Sequence, residues 1–262
     1  MRNDTLGPQR PADGRPGRVV GIIPSRYAST RLPAKSLANL HGMPLVQRVY
    51  EQARQAASLS QVIVATDDER IRRAVEQFGG TAVMTSPEHR SGTDRVAEVA
   101  RTLDAQIIIN ITGDEPLIRP EQIDQVARFL EAHPAVPMAS LMTPLARRED
   151  IDNPNVVKVV VDQDGYALYF SRAPIPFTRS GGVAPTYWKH LGLYGYQRHF
   201  LLRFPHLPPS PLEQAEQLEQ LRALWHGHKI KLLETAHDTI GVDTAEDLAK
   251  AEAMLANTGN RR

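Results

Sequence analysis

Short apolar runs alternate along the first half of this chain with stretches whose apolar residues recur every three or four positions. No other feature restricts the fold as much. The runs fall at 18–23, 61–66 (QVIVAT), 81–84 and 106–112 (QIIINIT), each too short to be a helix. Between them, helical spacing is kept by Leu45, Val46, Val49, Tyr50 and Ala53, and again by Ile71, Ala74, Val75 and Phe78. Val96, Val99, Ala100 and Leu103 make a third stripe, and Ile123, Val126, Ala127 and Leu130 a fourth. Strands apolar on both faces, joined by amphipathic helices, predict βαβ units and a three-layer α/β/α fold around a mostly parallel mixed sheet.

After Pro134 the rhythm changes. Strands predicted at 137–142, 156–161 and 166–170 are separated by the turn signals Asn153-Pro154 and Asp164-Gly165, and read as antiparallel pairs. A long loop is expected at 173–187, then a strand at 190–196, a helix over 212–226 and a strand at 229–235. The final helix lies in GVDTAEDLAKAEAML, where Thr244 and Asp247 have capping-box spacing. The expected organisation is one α/β domain over 18–256, with a smaller β-rich lobe at about 140–210. Residues 1–17, rich in Pro, Gly and charge, read as a disordered extension rather than a signal peptide, and 257–262 as a tail.

Composition narrows the function classes. The 31 basic and 30 acidic residues nearly cancel, so bulk electrostatics favours neither nucleic acid nor an anionic membrane. No window approaches the ~18 apolar residues of a membrane span. Cysteine is absent, which excludes disulfides and thiolate chemistry. A cytoplasmic enzyme or binding protein is the default expectation.

The chemistry-bearing residues follow strand ends. The strand at 18–23 runs into IIPSRYASTRLPAK (22–35), where Arg26, Arg31 and Lys35 lie among Ser25, Ser29 and Thr30. That pattern suits a dense anion such as a nucleoside triphosphate, although a solvated basic loop has the same spacing. ITGDEP places Asp114 just beyond the strand at 106–112. A carboxylate sharing a rim with arginines and phosphate makes electrostatic sense if a hard cation joins them; the alternative is a polar turn ended by Pro116. Asp243, in GVDT, is either a helix cap or a distant partner for Asp114 on Mg²⁺. VATDDERI offers Thr66 and Asp67 to a base edge, or Asp67 or Asp68 to a helix cap. HRSGTDR offers Ser91 and Gly92 to a base or phosphate, or simply a cap. Arg172 could grip a substrate carboxylate, whereas His190 beside an apolar strand fits a structural role more readily.

Taken in order, IIPSRYASTRLPAK, VIVATD, HRSGTDR, INITGDEP, NPNVVKVVVDQDGYALYFSRAPIP, HLGLYGY, SPLEQAEQLEQLR and GVDT strongly resemble the 3-deoxy-manno-octulosonate cytidylyltransferase (CMP-Kdo synthetase) family, over about residues 18–255. The resemblance implies a cytoplasmic homodimer with a nucleotide-binding fold, its smaller β-rich lobe serving sugar binding and dimerisation. It implies use of CTP and Mg²⁺ to convert the acidic sugar Kdo to CMP-Kdo for lipopolysaccharide biosynthesis, with release of pyrophosphate. By matching position, Arg26, Ser29, Thr30, Arg31 and Lys35 would hold the triphosphate, and Thr66, Asp67, Ser91 and Gly92 would surround the cytidine. Asp114 and Asp243 would hold Mg²⁺ and, with Arg26 and Lys35, form the catalytic set. Thr112, Arg172, His190, Tyr194, Glu219 and Gln220 would line the sugar pocket. Ala34 stands where the family usually has Gly, and Thr112 where it usually has Gln. The second departure keeps open another ulosonic acid, such as 8-amino-Kdo or a sialic-acid-like sugar. A catalytically silent nucleotide-binding relative is the rival from another class.

Overall fold

The computed structural model describes residues 19–28 and 32–259. The extension expected at 1–17, the loop residues Ser29, Thr30 and Arg31, and residues 260–262 of the expected tail lie outside the described residues. In chain order the strands are β1 (Val19–Ser25), β2 (Asn39–Leu40), β3 (Met43–Pro44), β4 (Gln61–Thr66), β5 (Ala82–Met84), β6 (Ile107–Asn110), β7 (Met138–Leu145), β8 (Lys158–Val161), β9 (Ala167–Ser171), β10 (Tyr187–Gln197) and β11 (Ile230–Glu234). The helices are α1 (Leu45–Ala53), α2 (Glu69–Gln77), α3 (Gly92–Arg101), α4 (Pro120–Ala132), α5 (Arg148–Asp152), α6 (Arg198–Arg203), α7 (Pro211–Glu216), α8 (Leu221–Trp225) and α9 (Ala245–Gly259).

Among the described residues the main sheet has nine strands, ordered β11-β7-β10-β6-β1-β4-β5, with β8 on β10 and β9 on β8. β1 is parallel to β4 and β6, and β4 to β5, as the alternating pattern predicts. β10 is antiparallel to β6 and β7, while β11 is parallel to β7, so the sheet is mixed. Successive side chains of β1 divide between its faces. Val20 and Ile22 join the core that contains Val96 and Val99 of α3 and Phe200 of α6. Val19 and Ile23 join the core of Val46 and Val49 of α1, Ile71 and Val75 of α2, and Ile123 and Val126 of α4. Two apolar faces on one strand demand helices on both sides, and each such buried side chain contributes about 1.5–3 kcal/mol.

The β-rich second half is hydrogen-bonded into the same sheet through the long strand β10. Its start pairs with β8 (Trp188 opposite Val159, Lys189 opposite Lys158), and its end with β6 (Tyr194 opposite Asn110, Gln197 opposite Ile107). Its register against β7 shifts between Leu191 and Tyr194. Gly192 lies in that irregularity, where a Cβ would stand 2.8 Å from Glu115 Oε1 and 3.2 Å from Thr112 Cγ2. The β8–β9 hairpin is fastened by Lys158, whose side chain is fully buried. Its ammonium donates to the carbonyls of Asn153 (2.8 Å), Val156 (2.6 Å) and Arg172 (2.6 Å). Burial draws its pKa down.

Three expectations are corrected. The single helix at 212–226 is two short helices, because Gln217 takes a left-handed conformation (φ 53°) that ends α7. The break turns Leu218 into the core and lets Glu219 reach Thr93. The strand at 106–112 stops at Asn110, and the strand at 190–196 begins at Tyr187. Thr244 and Asp247 do form the expected reciprocal cap: Asp247 N–H donates to Thr244 Oγ1 (3.2 Å), and Thr244 N–H to Asp247 Oδ2 (3.0 Å).

The basic loop ends in a 3-10 turn, Lys35–Leu37, entered through Ala34 at φ 53°, ψ 33°. A methyl-bearing residue in this left-handed region costs roughly 1–2 kcal/mol. Ala34→Gly is therefore expected to raise the unfolding free energy by about 0.5–1 kcal/mol, after the extra unfolded-state freedom of glycine is subtracted. A denaturant titration reads this, and an unchanged or lowered midpoint would refute it. Gly113 presents the opposite case: a Cβ there would stand 2.9 Å from the Pro24 carbonyl oxygen and 3.2 Å from Ser25 Oγ. Gly113→Ala is expected to destabilise by about 1–3 kcal/mol, measured the same way, because the backbones of β1 and the β6 loop must separate.

Candidate active site

The carboxyl ends of β1, β4 and β6 face one rim, where ligands bind in open α/β sheets. A cavity of about 210 Å³ opens there, lined by Pro24, Ser25 and Arg26 at the end of β1, His89 to Gly92 and Arg95 around the start of α3, and Thr112 to Asp114 after β6. Three arginines against one carboxylate give this wall a positive balance suited to phosphate. Ser91 caps α3 through a reciprocal bond with Asp94, which leaves Gly92 at the helix start against Pro24. Arg26 is exposed at the lip.

Asp114 and Asp243 converge beside this cavity. The Val242 N–H donates to the Asp114 carbonyl oxygen at 2.8 Å, clipping the segment before α9 to the loop after β6. Val242 and Ala251 pack with Leu40 and Leu45, so α9 is anchored on the β2–β3 ribbon and the start of α1. Lys35 Nζ lies between the two acids, 2.8 Å from Asp114 Oδ2 and 2.9 Å from Asp243 Oδ1. Burial works to lower the Lys35 pKa, but the two carboxylates outweigh it and raise it. The acids thus already converge on one positive charge, and carboxylate oxygens are the hard donors that Mg²⁺ prefers. Among the described residues no group of three or more His, Cys, Asp or Glu side chains forms a closed cage. An open two-carboxylate site fits a cation that completes its shell with substrate phosphates and water.

The other expected residues fall into distinct settings. Thr66 is buried beneath the rim, and its Oγ1 accepts from Asp68 N–H at 3.2 Å. Asp68, rather than Asp67, caps α2. Asp67 instead accepts from the buried Arg95 (2.7 Å), whose guanidinium also donates to Thr85. Glu219 lines a neighbouring cavity of about 600 Å³ that shares Arg90 and Ser91 with the first, and it accepts a hydrogen bond from Thr93 Oγ1. Burial pushes the Glu219 carboxyl up, against hydrogen bonds from Thr93 and Ser91. Gln220 is buried at the start of α8. Tyr194 is packed between the rings of His190 and Tyr196.

Two of the expected sugar residues are already engaged with protein. His190 is buried, with Nε2 2.9 Å from Ser140 Oγ and its ring edge-on to Phe170. Burial, with Lys189 nearby, lowers its pKa to about 3, so it is neutral at physiological pH. The Arg172 guanidinium donates to the carbonyls of Glu216 (2.7 Å), Pro154 (3.0 Å) and Gln217 (3.4 Å). It latches α7 to the end of β9, a different contact set from a carboxylate grip.

Several rim residues had no individual signal in the sequence. Arg90 and Arg95 sit within HRSGTDR, but nothing in their spacing distinguishes cleft arginines from solvated ones. Ser25 Oγ, Asn110 Oδ1, Glu115 Oε2 and Glu219 Oε1 are buried without a hydrogen-bond partner among the described residues. Of these, Ser25 and Glu219 line the two cavities, within reach of a polar ligand. At Glu115 burial first, and then the charge of Asp114, push the carboxyl up to about 7.

The cytidylyltransferase family profile matches residues 20–230. The 3-deoxy-manno-octulosonate cytidylyltransferase of Geobacter sulfurreducens is 51% identical over 248 residues, covering 90% of this chain and 99% of the relative. That of Syntrophotalea carbinolica is 50% identical over 245 residues, covering 90% and 98%. A solved structure of CMP:2-keto-3-deoxy-manno-octonic acid synthetase complexed with CTP superposes with a TM-score of 0.88 at 45% identity, covering 92% of this chain and 99% of that one. With half its residues shared along nearly the full length of these relatives, the chain belongs to the 3-deoxy-manno-octulosonate cytidylyltransferase family.

Proposed function

We propose that this protein transfers a cytidylyl group from CTP to Kdo, releasing pyrophosphate and forming CMP-Kdo. The observation that carries the reading is the meeting of Lys35, Asp114 and Asp243 beside an arginine-lined cleft at the strand ends. The anomeric hydroxyl of the sugar attacks the α-phosphorus in line with the departing pyrophosphate. Arg26 and Lys35, with Ser29, Thr30 and Arg31 of the same loop, bind and orient the triphosphate. Ser91 and Gly92, at the start of α3, border the cytidine, with Thr66 and Asp67 beneath it. Asp114 and Asp243 hold Mg²⁺, which when bound neutralises charge on the phosphate oxygens. The rest is positioning and electrostatic preorganisation, and no covalent enzyme intermediate is required.

Tyr194, Glu219, Gln220 and Thr112 form the acceptor side, with His190 and Arg172 holding its walls in shape through Ser140 and the α7 carbonyls. The exposed Phe177 and Val183, in the segment between β9 and β10, suit burial by a second copy in a homodimer. Among the described residues no helix is long and apolar enough to cross a membrane. A cytoplasmic enzyme feeding lipopolysaccharide assembly is the setting that fits these substrates.

Pyrophosphate release from CTP and Mg²⁺, measured over a panel of ulosonic acids, tests the reaction. Kdo is expected to be turned over best. Binding of CTP without turnover of any acceptor would instead favour a silent relative. Asp114→Asn is expected to lower kcat by at least about 10²-fold; full activity in that variant would remove Asp114 from the metal site. Thr112 lines the cleft beside Gly192 with a short side chain, which leaves room for a modified sugar. Thr112→Gln is expected to change kcat/KM ratios between acceptors by about tenfold while leaving the KM for CTP nearly constant. Equal losses against every sugar would refute that role.

A further inference from the structure

Lys35 stands where both acids can be satisfied by a single cation. Its ammonium is 2.8 Å from one carboxylate and 2.9 Å from the other, and its side chain is only 18% exposed. A Mg²⁺ ion bound to the same two oxygens would sit about 2.0–2.1 Å from each. The ammonium and such an ion cannot share that space, and their charges repel. The backbone beneath Lys35 is held by two turn bonds, Leu37 N–H to the Ala34 carbonyl (2.8 Å) and Ala38 N–H to the Lys35 carbonyl (3.0 Å). Only the flexible four-carbon stem is left to move. The same turn leans on the arginine loop, where Ser36 Oγ donates to the Arg26 carbonyl (3.5 Å). The phosphate side of the cleft is therefore within reach of a swinging ammonium.

We infer that Lys35 is a resident counter-cation that keeps divalent metal off Asp114 and Asp243 until a nucleoside triphosphate draws its ammonium away. Metal and triphosphate then bind synergistically: phosphate takes the lysine, and the metal takes its place beside the two carboxylates. Because coupling is reciprocal, metal strengthens triphosphate binding by the same factor. The inference rests on the assignment of Asp114 and Asp243 as metal ligands, made above. It adds a binding order that the assignment alone does not require.

The test is Mn²⁺ binding to the full-length protein, followed through the electron spin resonance signal of free Mn²⁺, with and without CTP and with no acceptor sugar. Wild type is expected to bind Mn²⁺ at least about tenfold more weakly without CTP than with it. Lys35→Met keeps the apolar stem and removes the charge. It is expected to bind Mn²⁺ at least about tenfold more tightly than wild type in the absence of CTP, and to lose most of the synergy. Lys35→Gln provides a second neutral side chain if the melting curve of the first variant departs from wild type. If neither neutral variant binds Mn²⁺ more tightly than wild type without CTP, the inference is overturned. Asp114→Asn separates the two levels. Loss of CTP-dependent Mn²⁺ binding in that variant, with no gain in the Lys35 variants, leaves the metal assignment standing and removes only the counter-cation. Unchanged CTP-dependent Mn²⁺ binding in Asp114→Asn overturns both.

Discussion

One backbone hydrogen bond, from Val242 N–H to the Asp114 carbonyl, joins the two segments that carry the carboxylates of the candidate site. Asp114 belongs to the loop after a central strand, whereas Asp243 precedes a helix added after the sheet is complete. Nothing in strand pairing brings them together. The clip does so, and it is held because α9 has an apolar face that must be covered. Val242, Ala251 and Leu248 find that cover on Leu40, Leu45 and Leu32. Burial of a few aliphatic side chains thus holds two carboxylates close together, and the Lys35 ammonium between them offsets one of their two charges.

The rim as a whole is a compromise between polar function and burial. Arginine is concentrated on the α3 side and carboxylate on the α9 side, with β1 between them. Among the described residues, buried oxygens of Ser25, Asn110, Glu115 and Glu219 have no hydrogen-bond partner, and two of these residues, Ser25 and Glu219, line the cavities at the rim. Groups that would be costly to leave unpaired farther from the rim are satisfied internally: His190 by Ser140, Arg172 by three carbonyls.

The parallel half of the sheet is legible because its signal is local. Ile123, Val126, Ala127 and Leu130 share one face of α4, and all are buried. The break in the predicted helix at 212–226 is not legible, since Gln217 is neither glycine nor asparagine and helical spacing continues through it. Tertiary contacts make that break: Leu218 enters the core while Glu213 pairs with Arg222 at 2.9 Å. The strand-end residues Arg26, Lys35 and Asp114 could be read from their motifs. The internal bonding of Arg172 could not, because a guanidinium in a polar segment looks the same whether it meets a substrate carboxylate or three main-chain oxygens.

Lys158 shows what an apolar pattern cannot do by itself. Sliding one strand of a hairpin by two residues leaves every side chain on its original face, so hydrophobicity does not penalise the slip. The ammonium of Lys158 does, because it must find the carbonyls of Asn153, Val156 and Arg172 together. A miscount between β8 and β9 would carry away the Arg172 carbonyl, the one acceptor of the three on the β9 side, and leave the buried ammonium short of a partner. Lys158 therefore works as an error check on alignment, a counting device placed at the point where the hairpin joins the strand that runs on to the candidate site.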